Sequence, residues 1–362
     1  MRKHLKFSLT FLLFIFLAAS ACSRNDEGLR QRRSDGRTIK DAAGRIVNIP
    51  REVERAVCVG AGALRYAVYA GGIDKIVGVE DGEGKCPPSK CFSYANREVF
   101  SKLPIIGRNG VPNEESILAL NPDVIITTNP PSIASAMQKR MNIPVVCIPI
   151  PEGMFGDDVH TALTIVGETL GKQKSCKELS EYIKSLERDL KRRIANVKDS
   201  DRPTAYVGGI SFKGAHGFEG TEGKYPPFEA VAVKNVVDEL GHDGAFDVDI
   251  EQILKWDPQY IFLEINNMRL IHELYSKRPE IFKMLTAVRK NRVYSNVAFR
   301  FGATNTEMAI ANAYYIGSII YPEEFSDVDI ASKTDEIFGH FLGVRLYGDL
   351  KKQGYEFKKI EF

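Results

Sequence analysis

The 362-residue sequence is poor in several things at once. It has one Trp, six Cys and six His, and the histidines (His4, His160, His216, His242, His272, His340) form no HxH or HExxH pair. A metal site built from local His spacing is therefore not written in it. No GxSxG elbow and no P-loop occur, which argues against hydrolase and NTPase chemistry. Charge of one sign is not in excess either: 49 Lys+Arg stand against 47 Asp+Glu. Proteins that hold nucleic acid through its phosphates carry a basic surplus or cluster, so nucleic acid is not the expected partner. No apolar run reaches the ~20 residues of a membrane span. What is present is ordinary globular composition: 44% hydrophobic, 27% charged, 30 Gly and 17 Pro. That excludes disorder and collagen, and the length predicts two domains.

The first residues do not belong to that body. Arg2, Lys3 and Lys6 precede an apolar run from Phe7 to Ala19, and Ala19, Ser20 and Ala21 lead to Cys22. A positive start, a short apolar stretch and small residues read as a secretory signal peptide over 1–21, with an uncleaved anchor helix as the alternative. Its removal leaves 46 basic and 47 acidic residues, a net charge near −1. The stretch Leu17–Cys22 resembles a bacterial lipobox, which makes Cys22 the lipidated mature N-terminus. Lipid chains contribute about 0.8 kcal/mol per buried CH₂, and several of them hold a protein on a bilayer. Residues 22–37 are polar and charged, a flexible tether with a mean reach of about 20 Å.

The remaining cysteines are Cys58, Cys86, Cys91, Cys147 and Cys176. Their odd number leaves at least one unpaired within the chain. Cys86 and Cys91 bracket Pro-Pro-Ser-Lys, a loop that a disulfide can close in an oxidising compartment, a metal pair being the alternative. Cys58 and Cys147 lie in apolar runs and read as buried bulk.

The body alternates short apolar runs with helical patterns, the signature of parallel sheets covered on both faces. Strands are expected at 55–59, 75–79, 123–127, 144–148, 204–208, 260–264 and 292–295. Helices are expected at 63–70, 114–120, 131–141, 231–240, 250–255, 279–285 and 306–319. Between the halves, Leu179, Ile183, Leu186, Leu190, Ile194 and Val197 are spaced as one face of a long amphipathic helix. The expected architecture is α/β: two lobes with mainly parallel sheets flanked by helices, joined by one long linker helix. Its parts are an N-terminal lobe (38–172), the linker (173–199) and a C-terminal lobe with a helical tail (200–362).

An internal similarity relates the halves. Glu115-Ser-Ile-Leu-Ala-Leu-Asn-Pro122 and Glu251-Gln-Ile-Leu-Lys-Trp-Asp-Pro258 share a short helix, a Pro stop and a following strand. Asn113 and Asp249 are placed to cap the helix starts. On the residues alone, Glu115 and Glu251 read as acids that complement helix dipoles.

Three segments are placed to face a cleft at strand ends. Gly60-Ala-Gly62-Ala-Leu-Arg65 follows a strand, and Glu80 lies twenty residues on, the outline of a dinucleotide fingerprint. Arg65 at the third glycine position, and export, argue against that reading. The turn is read as the edge of a ligand crevice, with Arg65 and Tyr66 facing it. The loop around Lys213 and His216, with Tyr225 soon after, and the Phe299-Arg300-Phe301 segment mix aromatics with cations. That mixture suits a flat or anionic ligand; the alternative is that Phe212, Phe218, Phe299 and Phe301 are core.

These residues resemble the helix-linked (class III) periplasmic substrate-binding proteins of ABC importers for iron complexes, siderophores and cobalamin. The resemblance rests on the opening Thr38–Pro50, on Glu54–Val59 and Asp74–Val79, and on Leu103–Gly107 through Asn121-Pro122-Asp123. It implies a non-enzymatic, exported, lipid-anchored receptor with no intrinsic cofactor. Such a receptor captures an iron chelate between its lobes and delivers it to a permease driven by an ATPase. It also implies that Glu115 and Glu251 meet arginines of that permease. Arg65, Tyr66, Lys213, His216, Tyr225 and Arg300 are ligand-binding candidates by position only. Haem, with His216 or Tyr225 as axial ligand, and cobalamin are alternatives of the same class. An exported metal-cluster oxidoreductase or metal-insertion enzyme and a surface adhesin or chaperone are alternatives of other classes. The Cys86–Arg97 segment, the Lys213–Phe228 loop and the tail depart from short family members.

Overall fold

Residues 36–362 are described by the structure, a computed structural model. The signal peptide, Cys22 and nearly all of the tether lie outside the described residues.

Runs that are apolar at every position become strands buried on both faces. After an antiparallel hairpin, β1 (Arg37–Lys40) and β2 (Ile46–Ile49), come β3 (Ala56–Val59) and β4 (Ile76–Gly78). A second, tight hairpin is formed by β5 (Gly107–Arg108) and β6 (Val111–Pro112), followed by β7 (Val124–Thr127) and β8 (Val145–Cys147). The first lobe's sheet has the order β4-β3-β7-β8, all parallel. In the second lobe, β9 (Thr204–Gly208), β10 (Gly220–Gly223), β11 (Lys234–Asn235), β12 (Gly244–Asp247), β13 (Tyr260–Glu264) and β14 (Val293–Asn296) follow. Its parallel sheet has the order β11-β9-β13-β14, with β10 and β12 paired antiparallel beside it. Every expected strand is there, within a residue or two at its ends.

Helix Gln173–Arg193 joins the lobes and buries Cys176, Leu179, Ile183, Leu186 and Leu190 along one stripe. It ends one turn before the spacing suggests. Arg193 is anchored to Asp189 (2.8 Å) and to Asp327 of the tail (2.6 Å), while Ile194 and Val197 still pack on the core. The segment 231–240, expected as a helix, is instead β11 and a short 3₁₀ turn, Val236–Leu240. Its valines favour extended backbone, and Asn235 Nδ2 bonds the Glu222 carbonyl (2.9 Å) and Asp238 (3.0 Å), which fixes the turn.

Helix Thr306–Ile320 is apolar almost all round and buried accordingly. It carries one hydrophobic core from the first lobe, through the linker, into the second. The tail helix Ile330–Leu342 packs on it, on helix Ala63–Tyr69 and on the linker. The tail thus splints the lobes from behind. No helix among the described residues is long and apolar enough to cross a membrane.

The repeated motif folds as the sequence implies. Helices Glu114–Leu120 and Ile250–Trp256 both end at a left-handed residue, Asn121 (φ 45°) and Asp257 (φ 43°), ahead of Pro122 and Pro258. The caps differ: Asn113 accepts from the Ser116 N–H (3.0 Å), whereas Asp249 makes no side-chain cap bond.

Candidate functional site

The strand ends of the two lobes meet across a cleft of about 510 Å³. One wall is the turn after β3. Gly60 (φ 99°) and Gly62 (φ 81°) are left-handed, and a Cβ at Gly60 would fall 2.5 Å from Thr128 Oγ1. Only glycine fits there. Glu80 ties this turn to the next loop: its carboxylate accepts the Gly60 N–H (3.1 Å) and the Gly110 N–H (2.7 Å). The acid that outlines a ribose contact in the sequence is a structural tie.

A second wall is the Cys86–Arg97 insertion. Lys90 Nζ lies 2.7 Å from Glu83 Oε2, and the Ser93 hydroxyl donates to the same oxygen. Arg65 and Lys90 both approach the Phe92 ring, at 4.9 and 5.2 Å from its centroid. The cleft's acids are thus matched: Glu80 by backbone donors, Asp81 by Arg108 and Glu83 by Lys90. Between the lobes, Asn266 Nδ2 of the second donates to Ser89 Oγ of the insertion (2.9 Å). Phe301 and Gly302 close the second lobe's side. Cys86 and Cys91 are free thiols, so the expected disulfide is absent. Cys91 is buried, and that burial holds its thiol well above its ordinary range.

None of the six ligand candidates lines the cleft, although Arg65 and Arg300 reach the lobe junction beside it. Arg65 is fully buried, its Nε donating to Asn305 Oδ1 (2.8 Å) and Nη2 to the Phe301 carbonyl (2.9 Å). Arg300 spans the lobes: Nη1 donates to the Glu152 carbonyl (2.7 Å), and its guanidinium pairs with buried Glu222. Tyr66 is buried core, edge-on to Tyr69 at 5.4 Å, because its helix turns that face away from the crevice. Tyr225 is also buried, its hydroxyl accepting from Asn296 Nδ2 (2.7 Å). His216 stacks on Phe212 (3.7 Å), with Nδ1 against Asp247 (2.9 Å) and Nε2 against the Phe212 carbonyl (2.7 Å). One ring nitrogen is taken up by its own loop and the other by Asp247 of β12, and Lys213 stands exposed on that loop. Phe218 and Phe299 are core, and Phe301 lines the cleft. Sequence reasoning missed Phe92, Lys90 and the Thr128–Asn129 turn, which no spacing marks.

Behind the second lobe's wall lies a buried acid. Glu264, at the end of β13, accepts from Ser211 Oγ (2.9 Å), and burial raises its pKa from 4.5 to about 8. The unfolded chain loses this proton near pH 4.5, the folded one near pH 8, so stability falls as pH rises through that window. Glu264→Gln removes the titration. Its unfolding free energy should exceed that of the parent by about 2–4 kcal/mol at pH 8 and match it at pH 4. Equal pH slopes in urea melts of both proteins would refute the assignment.

The sequence profile of the periplasmic binding protein family matches residues 69–296. The molybdate-binding protein MolA of Haemophilus influenzae is 24% identical over 327 residues, which span 84% of this chain and 90% of that one. The Fe(3+)-citrate-binding protein YfmC of Bacillus subtilis is 26% identical over 290 residues, 79% of this chain and 87% of that one. The structure of H. influenzae MolA bound to molybdate superposes with a TM-score of 0.68 at 21% identity, covering 85% of this chain and 98% of that one. Two parallel-sheet lobes, one joining helix and a cleft at the facing strand ends agree with these matches. The chain belongs to the periplasmic binding protein family, in its helix-linked class, and is a substrate-binding protein of an ABC importer.

Proposed function

We propose that this protein is the lipid-anchored receptor of an importer for an anionic iron chelate. Cys22 holds it to the membrane, the cleft between the lobes captures the chelate, and Glu115 and Glu251 present the loaded receptor to the permease. The observation that carries the reading is the cleft itself: about 510 Å³, with walls from both lobes, its acids matched and Arg65 buried behind Phe92 and Phe301 of its lining. The two docking acids are exposed and have no ion pair among the described residues. The neighbouring Glu114, by contrast, is held by Arg140 (2.7 Å). A relative that binds Fe(3+)-citrate supports the iron chelate. A relative that binds molybdate and is matched over 90% of its length favours a bare oxyanion as the second reading.

The test is a thermal-shift screen of the purified mature chain against ferric citrate, molybdate, haem and cobalamin. A cargo present at 100 times its Kd adds about 2.7 kcal/mol of stability. Ferric citrate should raise the unfolding midpoint. If only haem or cobalamin does so, the iron-chelate assignment fails; if none of these or of other ferric chelates does, the receptor reading fails.

A further inference from the structure

Side-chain hydrogen bonds tie the lobes together beside the cleft in two unlike ways. One set converges on residues 300–307, which lead into the buried helix Thr306–Ile320. Arg65 Nε donates to Asn305 Oδ1 (2.8 Å), Tyr69 donates to Glu307, and Arg300 Nη1 and Thr304 Oγ1 both donate to the Glu152 carbonyl, each at 2.7 Å. The other tie is the bond from Asn266 Nδ2 of the second lobe to Ser89 Oγ of the first (2.9 Å).

The two ties differ in strength and in place. The first relies on two guanidinium groups and on a segment fixed by the core that helix Thr306–Ile320 carries across both lobes. Charge-assisted bonds are roughly twice as strong as neutral ones. The Asn266–Ser89 bond is neutral on both sides. It also stands apart: Ser89 follows β4, at one edge of the first lobe's sheet, whereas Glu152 follows β8, at the opposite edge.

Both partners of the neutral bond are presented by fixed turns. Ser89 is fully buried, between Pro87-Pro88 and Lys90, which Glu83 holds at 2.7 Å. Asn266 lies in the turn Ile265–Asn267, where Asn267 Nδ2 bonds the Gly209 carbonyl (2.7 Å) and Ser211 Oγ (2.8 Å). The bond therefore forms and breaks as the lobes move. Closure also carries a penalty, because Asn266 Oδ1 is buried with no partner. Opening returns that oxygen to water. The gain at Nδ2 is offset by the loss at Oδ1, so the empty protein stands close to balance. Lys90 and Phe92, just after Ser89, line the cleft, and a cargo that touches both walls tips the balance toward closure.

We propose that the Ser89–Asn266 bond is a releasable clasp between the lobes, and that cargo enters and leaves by its opening while the side held by residues 300–307 stays closed. The inference rests on the receptor reading above and adds the residue pair that sets the rate of cargo exchange. The Cys86–Arg97 insertion carries Ser89, so the clasp belongs to chains that have this insertion.

Cys91 reports the clasp without any cargo. It is fully buried, and its thiol donates to the Ser89 carbonyl (3.4 Å). The experiment is timed alkylation of the cargo-free mature chain with iodoacetamide, read at each cysteine by mass spectrometry. Ser89→Ala leaves the Asn266 amide wholly unpartnered and should speed labelling of Cys91 about 3- to 10-fold, with Cys58, Cys147 and Cys176 unchanged. Adding Asn266→Leu makes both partners apolar and should bring the rate back to within about twofold of the parent, a rescue that independent structural damage would not show. Asn266→Leu alone leaves the Ser89 hydroxyl without its donor and should give about 3- to 5-fold; it carries the test if Ser89→Ala does not fold. In stopped flow, release of the probe that the screen above selects should be faster by the same factor in each variant. Labelling of Cys91 within about 1.5-fold of the parent in the folded single variants overturns the clasp. So does faster labelling at every cysteine, which reports general loosening, and so does a double variant no slower than Ser89→Ala. Unchanged release in a variant with faster labelling overturns its role in exchange. If the screen selects no probe, the receptor reading fails, and the alkylation still decides whether this bond holds the lobes together.

Discussion

Cells carrying Glu115→Ala together with Glu251→Ala should lose cargo uptake, while the purified variant keeps the parent's cargo affinity and melting temperature. Both acids sit in the first turn of short helices, exposed, and outside the cleft lining. If they only complement helix dipoles, each substitution changes stability by a few tenths of a kcal/mol and transport continues. If each meets a cation of the permease, docking loses two charge-assisted contacts. At about 1.5–3 kcal/mol each, the pair weakens docking by roughly two to four orders of magnitude. Charge is the operative property, so Gln at both positions should fail like Ala, and Asp should retain part of the uptake. Uptake within twofold of the parent in the double-Ala strain would remove Glu115 and Glu251 from docking.

The repeat that carries those acids was also the most legible part of the sequence. Glu-x-Ile-Leu followed by Asn-Pro or Asp-Pro encodes a helix, a left-handed stop and a buried strand through local chemistry alone, and both copies fold so. The linker's stripe was legible for the same reason, a periodicity confined to one helix. The cleft was harder to read. Arg65, Tyr66 and Tyr225 were placed at it because a strand-to-helix turn must open at a sheet edge, yet all three are buried and outside its lining: which way a side chain after a glycine turn points is decided only by tertiary packing. His216 was lost to its own loop, where Asp247 reaches it from β12, 31 residues away. Phe92 and Lys90 became cleft walls through an insertion whose fold has no periodic signal. The tail was unplaceable because the faces it covers, on helices Ala63–Tyr69 and Thr306–Ile320, are more than 200 residues apart in the chain.

Arg300→Met should destabilise the protein strongly and in a pH-dependent way, with Glu222→Gln restoring most of the loss. The sequence offers Arg300 as a cargo contact, but the structure gives its guanidinium other work. It pairs with Glu222, whose side chain is 2% exposed, and donates to the Glu152 carbonyl and to Thr304 Oγ1, each at 2.7 Å. Burial already outweighs Arg300 and holds the Glu222 acid above its ordinary range. Without the arginine, the folded acid rises further, while the unfolded one still ionises near pH 4.3. The penalty is therefore absent below that pH and grows as pH rises, to about 3 kcal/mol at pH 8. At pH 4 only the bonds to Glu152 and Thr304 are lost, at about 1 kcal/mol. Urea melts of the four proteins of the Arg300→Met, Glu222→Gln cycle at pH 4 and pH 8 read this directly. A coupling energy near zero at pH 8, with cargo affinity reduced in Arg300→Met, would return Arg300 to the ligand site and take the interlobe strap away.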